Sequence, residues 1–225
     1  MNEAFVQSTA GVTLAGGGGF SLKLLDIARK AAPKIVAADG GADRLLALGC
    51  TPEAVIGDLD SISTKAKAHL KGRLFPIREQ ATTDFDKALR SISAPFVLGI
   101  GFTGARLDHT LAALNGLTSH PDKRCFLLGS RDVIFLAPRE MELRLPLGSR
   151  LSLFPMGPVQ GESEGLRWPL QGLRFAPAGL IATSNEVTAP LVRLRFDADL
   201  MLVILPRSAM ARALDAFGLS GVRGG

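Results

Sequence analysis

The hydrophobic pattern of this chain changes period once, near residue 137, and that change restricts the fold more than any other feature. Up to that point short apolar runs alternate with stretches whose apolar residues recur at helical spacing. The run 11–15 leads into Gly16, Gly17, Gly18 and Gly19, and 21–31 (SLKLLDIARKA) then repeats Leu, Leu, Ile and Ala on one helical face, with Ser21 as its cap. A strand is expected over 35–38 and a helix over 42–48, stopped by Gly49 with Pro52 beyond. Further strands are expected at 54–56, 96–100 and 125–128, and further helices at 64–71, 83–93 and 107–118. Such alternation predicts parallel strands with crossover helices, an α/β domain over 1–137.

From Val133 the segments IFLA, MELRLPL, RLSLFPM, GLRWPL, LVRLRFD and MLVILP read as short strands separated by Gly and Pro. LVRLRF alternates apolar and basic residues, which suits a strand with one wet face. An all-β domain, sandwich or partial barrel, is therefore expected over 138–218, with one short helix at 209–217 and a flexible tail over 219–225.

Net charge is +5, but the basic residues are scattered, and the chain has one Trp and no Tyr. A nucleic-acid surface is not indicated; an anionic small-molecule ligand accounts for the mild basic excess equally well. Cys50 and Cys125 lie far apart, cannot form a zinc site alone, and give only weak support to a disulfide. The start of the chain lacks a signal-peptide pattern, and no apolar run reaches the roughly 18–20 residues of a membrane span. The expectation is a reducing cytoplasm.

The acidic residues of the first half fall at predicted strand ends. Asp39 follows the strand IVAA and precedes Gly40 and Gly41; Asp58 and Asp60 follow AVI; Asp84 opens the helix containing Lys87; Asp108 comes after the strand FVLGI. Ligands of open parallel sheets bind beyond the carboxyl ends of the strands. Carboxylates gathered there repel one another unless a cation neutralises them, and Mg²⁺, held by carboxylates, waters and phosphates, suits this best. The glycine run between a strand and a helix supplies bare N–H groups for phosphate oxygens, and Lys87, Arg106 and His109 are candidates to balance phosphate charge. Residue types alone point to metal-assisted phosphoryl transfer or hydrolysis. Duller explanations stand beside each element. The glycines suit a plain turn, Asp39 and Asp84 suit helix N-caps, Lys87 a solvated helix residue, and His109 a structural side chain.

Four segments carry a resemblance: Ala38-Asp-Gly-Gly-Ala-Asp-Arg44, Ile56-Gly-Asp-Leu-Asp-Ser-Ile62, Thr83-Asp-Phe-Asp-Lys-Ala-Leu89 and Gly104-Ala-Arg-Leu-Asp-His109. In order and spacing they resemble thiamine pyrophosphokinases, as do Gly165-Leu-Arg-Trp-Pro-Leu170 and Thr183-Ser-Asn-Glu186 in the second half. The likeness runs from about residue 12 to 205. It implies an α/β ATP-binding domain followed by a β-sandwich, in a homodimer with thiamine held at the subunit interface. Thiamine's hydroxyl would attack the β-phosphorus of ATP, with AMP leaving. On this resemblance Asp58, Asp60 and Asp84 hold Mg²⁺ or orient the metal-bound triphosphate, and Asp108 lies near the transferred group. Asp39, Gly40 and Gly41 shape the nucleotide pocket, and Gln80 contacts nucleotide or thiamine. Trp168 packs on the cationic ligand, where cation–π attraction gives a physical reason, and Ser184 and Asn185 hydrogen-bond the pyrimidine. A core position in the β domain is the competing reading of Trp168.

Relatives commonly carry Asp where this chain has Ala81, Phe where it has Leu59, and Gly where it has Ala105. The first departure removes a carboxylate and leaves open a non-catalytic thiamine or nucleotide sensor. A metal-dependent phosphohydrolase, or a pyrophosphokinase for another heterocyclic alcohol, is the other alternative. The proton of the attacking hydroxyl could pass to Asp84 or Asp108.

Overall fold

The apolar runs of the first half are too short to bury their own backbone polar groups and satisfy them by pairing side by side. The computed structural model describes residues 4–104 and 106–219. Of the described residues, one unit contains those up to Gly116 together with Lys123–Ser130; the other contains Leu117–Asp122 and residues 131–219. In the first unit Val12–Ala15 pairs in parallel with Lys34–Ala38 on one side and Val97–Ile100 on the other. Ala54–Gly57 and then Leu74–Pro76 extend the sheet beyond Lys34–Ala38, and Cys125–Leu128 extends it beyond Val97–Ile100, all in parallel. Val12–Ala15, Ala54–Gly57, Val97–Ile100 and Cys125–Leu128 are buried throughout, as parallel strands covered on both faces must be.

Helices Leu22–Ala31, Gly41–Ala47, Thr64–His69, Asp84–Arg90 and Leu107–Ser119 connect these strands. Ser21 caps the first of them as expected, its Oγ accepting from the Leu24 N–H at 3.2 Å. From Val12–Ala15 the chain builds the sheet in one direction and later returns to that strand's other side. The strand order therefore reverses beside it, at a topological switch point. The glycine run occupies that place: the Gly16 N–H donates to Ile100 O at 2.8 Å and the Gly18 N–H to Gly101 O at 3.0 Å. Helix Gly41–Ala47 comes in so close that a Cβ on Gly41 would lie 2.1 Å from Ala15 O, which only glycine allows.

The second unit is β-rich and antiparallel. Glu140–Arg144, Leu191–Phe196, Val159–Glu164 and Arg174–Phe175 form one sheet in that order. Arg150–Pro155 pairs with Ala182–Glu186 and with Met201–Pro206, which pairs with Asp132–Leu136. The alternation in LVRLRF has the expected meaning: Val192, Leu194 and Phe196 are buried while Arg193 and Arg195 face water. There Arg193 bonds Glu142 at 2.9 Å and Glu164 at 2.8 Å, and Arg195 bonds Glu140 at 3.1 Å. The short helix is Met210–Ala216.

Several expectations are corrected. The helix expected over 83–93 stops at Arg90, because Ile92–Ser93 pairs instead with Val6–Gln7. GLRWPL is not a strand; Gly165 has a φ of 79° and only Leu166 makes an isolated bridge, to Val187. Leu74–Pro76 was hidden by its proline, tolerated on an outer strand, and Val159–Glu164 by its polar outward face. Cys50 and Cys125 are free thiols rather than a disulfide. Leu219, assigned from the sequence to the tail, is 2% exposed; the rest of that segment and Ala105 lie outside the described residues. Among the described residues no helix is long and apolar enough to cross a membrane.

Candidate active site

Asp39 leaves strand Lys34–Ala38 with a φ of 39°, a conformation that Asp tolerates better than most residues. The turn is closed by its own backbone, with its N–H donating to Ile56 O and its carbonyl accepting from the Ala42 N–H, each at 3.0 Å. Its carboxylate is carried into the fold, 2% exposed. Oδ2 accepts from the Ser61 N–H at 3.1 Å, whereas Oδ1 is buried with no hydrogen-bond partner. Burial pushes the Asp39 pKa up to about 6, Ser61 opposes the rise, and the charges of Asp84 and Asp58 add to it. The N-cap explanation for Asp39 fails, since the cap position belongs to Gly40. It fails for Asp84 too: the Thr83 Oγ1 caps helix Asp84–Arg90 by accepting from the Asp86 N–H, leaving Asp84 in the first turn.

Asp58 and Asp60 follow strand Ala54–Gly57, with Leu59 between them at a φ of 66°. A non-glycine residue in that region is strained and persists only where its surroundings hold it. Here Asp58 Oδ1 accepts from the Asp60 N–H at 3.3 Å, and Asp60 Oδ1 accepts from the Ser61 hydroxyl at 2.9 Å. One ligand oxygen from each of Asp39, Asp58 and Asp60 lies within 4.8 Å of the others. Gly57 makes room for this approach: a Cβ there would fall 2.9 Å from Asp39 Cβ and 3.0 Å from Asp84 Oδ1. Hard carboxylate donors around a buried, unpartnered oxygen fit a divalent cation.

Lys87, a site candidate from the sequence, is buried against this cluster. It is not a solvated helix side chain but 1% exposed, its Nζ donating to Asp58 Oδ2 at 2.9 Å and Asp84 Oδ1 at 3.3 Å. Burial alone would depress its pKa; the bonds to Asp58 and Asp84 outweigh that and hold it above the usual lysine value. The Lys87 ammonium in turn keeps the Asp58 carboxyl below the usual carboxylate range. One signal was available: Lys87 lies among Phe85, Ala88 and Leu89, the buried residues of its helix.

Two further sequence candidates of the first unit pair with each other. Arg106 makes a two-pronged bond to Asp108, Nη2 to Oδ2 at 2.6 Å and Nε to Oδ1 at 3.2 Å. That bond brings the Asp108 pKa down to about 2. His109, Gln80 and Ala81 are exposed. Sequence reasoning also missed Arg44, which pins the end of the glycine run by donating to Phe20 O through Nε at 3.3 Å and Nη2 at 2.7 Å.

In the second unit Trp168 is 54% exposed, which rules out a core role. Its backbone is clamped by Asn185, itself 4% exposed. Asn185 Oδ1 accepts from the Trp168 N–H at 3.2 Å and Nδ2 donates to Trp168 O at 2.7 Å, while Oδ1 also accepts from the Glu186 N–H at 2.9 Å. The amide is thus occupied in holding the indole out. Arg167 lies over the Trp168 ring at 5.2 Å and is tied to Glu186 at 3.0 Å. Ser184 is exposed, with a φ of 59°, its N–H donating to the Ser152 hydroxyl at 2.9 Å.

The same two regions match known families. Residues 26–127 match "Thiamin pyrophosphokinase, catalytic domain" and residues 138–201 match "Thiamin pyrophosphokinase, vitamin B1 binding domain". Thiamine pyrophosphokinase 1 of Oryza sativa subsp. japonica is 30% identical over 208 residues, covering 77% of this chain and 79% of the relative. The chain belongs to the thiamine pyrophosphokinase family. Thiamine pyrophosphokinase 1 of Arabidopsis thaliana is 31% identical over 173 residues, 68% of this chain and 65% of the relative. Thiamin pyrophosphokinase from Candida albicans shares the fold at a TM-score of 0.74 and 16% identity, covering 90% of this chain and 93% of its own. The yeast enzyme does so at 0.73 and 17%, covering 91% and 92%.

Two outcomes follow from this geometry. Trp168 is the sole tryptophan, so its emission reports the clamp. Asn185→Ala should lower Trp168 fluorescence anisotropy in a folded protein, and unchanged anisotropy would show that the clamp does not hold the ring. A folded carboxyl with a raised pKa takes up a proton more readily than a free one. Asp39 therefore favours the fold at low pH, and that contribution disappears as pH rises through about 6. In metal-free buffer the stability of Asp39→Asn relative to wild type should climb as pH is raised across that window, measured by urea midpoint. A flat difference would contradict the assignment.

Proposed function

We propose that this chain transfers the pyrophosphoryl group of ATP to the hydroxyl of thiamine, giving thiamine diphosphate and AMP. The parallel-sheet unit would bind nucleotide and metal, and the β-rich unit, a sandwich in this reading, would present Trp168 to thiamine. The observation that carries the proposal is the buried, unpartnered Asp39 Oδ1 beside Asp58 and Asp60 in a chain of this family. Mg²⁺ is the proposed cation, with Asp58, Asp60 and Asp84 as its protein ligands or orienting groups. Asp39, expected from the resemblance to shape the nucleotide pocket, adds an oxygen to the cluster that would offset the carboxylate missing at Ala81. When bound, the cation neutralises the charge of the triphosphate.

The rest of the reaction depends on positioning more than on covalent help. Gly40, Gly41 and the glycine run at the switch point shape the nucleotide pocket, but the Gly16 and Gly18 N–H groups are bonded to Ile100 O and Gly101 O rather than bare for phosphate. Arg106 and His109 offset phosphate charge, and Gln80 contacts nucleotide or thiamine. While Arg106 holds it near 2, Asp108 is a weak base; it accepts the hydroxyl's proton only once Arg106 has turned to phosphate, and Asp84 is the other acceptor. Trp168 stacks on the cationic ligand, and Ser184 and Asn185 bond the pyrimidine. A homodimer with thiamine at the subunit interface, working in the cytoplasm, completes the proposal.

Release of AMP from ATP, Mg²⁺ and thiamine tests it directly. A folded protein that binds nucleotide yet releases no AMP would instead be a sensor. Asp58→Asn and Asp60→Asn should each lower turnover roughly a hundredfold or more with circular dichroism unchanged; near-normal turnover in both would take them out of the site. Trp168→Ala should raise the thiamine KM about tenfold with a smaller change in kcat. An unchanged KM would count against stacking.

A further inference from the structure

We propose that Lys87 is a resident counter-cation. It keeps the acidic edge assembled in the absence of metal, and an arriving divalent cation must compete with it for Asp58. This rests on the metal-dependent reading above and goes beyond it, because it adds to the phosphate-balancing role expected of Lys87 one toward the protein's own carboxylates.

Lys87 is 1% exposed and already bonded to Asp58 and Asp84, so its charge is committed to the cluster before any ligand arrives. Its position is fixed from below: Phe85, Ala88 and Leu89 are buried on the same helix, and the Ser91 hydroxyl donates to Lys87 O at 2.7 Å. With Oδ1 accepting from the Asp60 N–H and Oδ2 from Lys87, both oxygens of Asp58 are engaged before any metal binds. The buried Asp39 Oδ1 remains without a partner. One ammonium therefore stands against Asp39, Asp58, Asp60 and Asp84 together, enough to orient the cluster and too little to neutralise it. A dication entering beside this ammonium is repelled by it with twice the force felt by a single charge. That repulsion outweighs the modest cost of reordering two short carboxylate side chains when the ammonium is absent. The lysine thus lowers metal affinity while preserving the shape of the site.

The test uses the full chain, Mn²⁺ as probe, and Lys87→Met, which keeps length and apolar bulk while removing charge. In metal-free buffer Lys87→Met should melt roughly 5 °C or more below wild type, because the carboxylates lose the buried ammonium bonded to Asp58 and Asp84. Mn²⁺ titrated by electron paramagnetic resonance should bind Lys87→Met tenfold or more tighter than wild type, and saturating Mn²⁺ should close most of the melting gap. Lys87→Gln, which keeps an N–H donor for Asp58 and removes only the charge, should likewise bind Mn²⁺ more tightly and serves if Lys87→Met does not fold. Equal or weaker Mn²⁺ binding by whichever variant folds overturns the proposal, as does a metal-free melting point of Lys87→Met equal to wild type. A wild-type protein that binds no Mn²⁺ removes the metal reading itself, whereas wild-type binding unchanged by loss of the ammonium removes only the role of Lys87.

Discussion

Like charges gathered at one sheet edge repel, and the architecture of the first unit is organised around that repulsion. Asp39, Asp58 and Asp84 reach the edge from successive crossovers, and a single buried ammonium holds two of them. The pair is worth little as a net source of stability, since taking the charges out of water consumes most of what their attraction returns. Its value is geometric. It fixes where carboxylate oxygens point, and it leaves one of them, on Asp39, available.

Backbone rather than side chains makes the rest of the edge possible. Glycine at positions 41 and 57 lets a helix and a strand end come within distances that any Cβ would block. Asp39 and Leu59 turn the chain through left-handed conformations that put neighbouring carboxylates on the same side. The strain at Leu59 lies between two acidic residues of the cluster, where backbone strain most often marks a working site.

The second unit solves a different problem, keeping a large aromatic ring in water without letting it collapse onto the nearest apolar surface. Asn185 contributes by bonding both the N–H and the carbonyl of Trp168. The arginines and glutamates of the neighbouring sheet cover its outer face with paired charge, which leaves the exposed indole as a distinct feature of this unit.

Much of this was legible in the chain itself. Hydrophobic period separates the α/β half from the β-rich half, because burial on both faces and burial on one face impose different repeats. The placement of Asp39, Asp58 and Asp60 after apolar runs foretells a shared edge, since parallel strands all end there. What the sequence could not decide is how each polar group is engaged. Residue types nominate Lys87 for phosphate charge and the family resemblance nominates Asn185 for a ligand, but the bonds of Lys87 to Asp58 and Asp84 and of Asn185 to the Trp168 backbone appear only in the fold. Asp84 and Asp39 read as caps until Thr83 and Gly40 take those places. Local pattern sets which residues lie on which element; which partner a polar atom finds depends on neighbours far away in the chain, and only the tertiary structure brings those together.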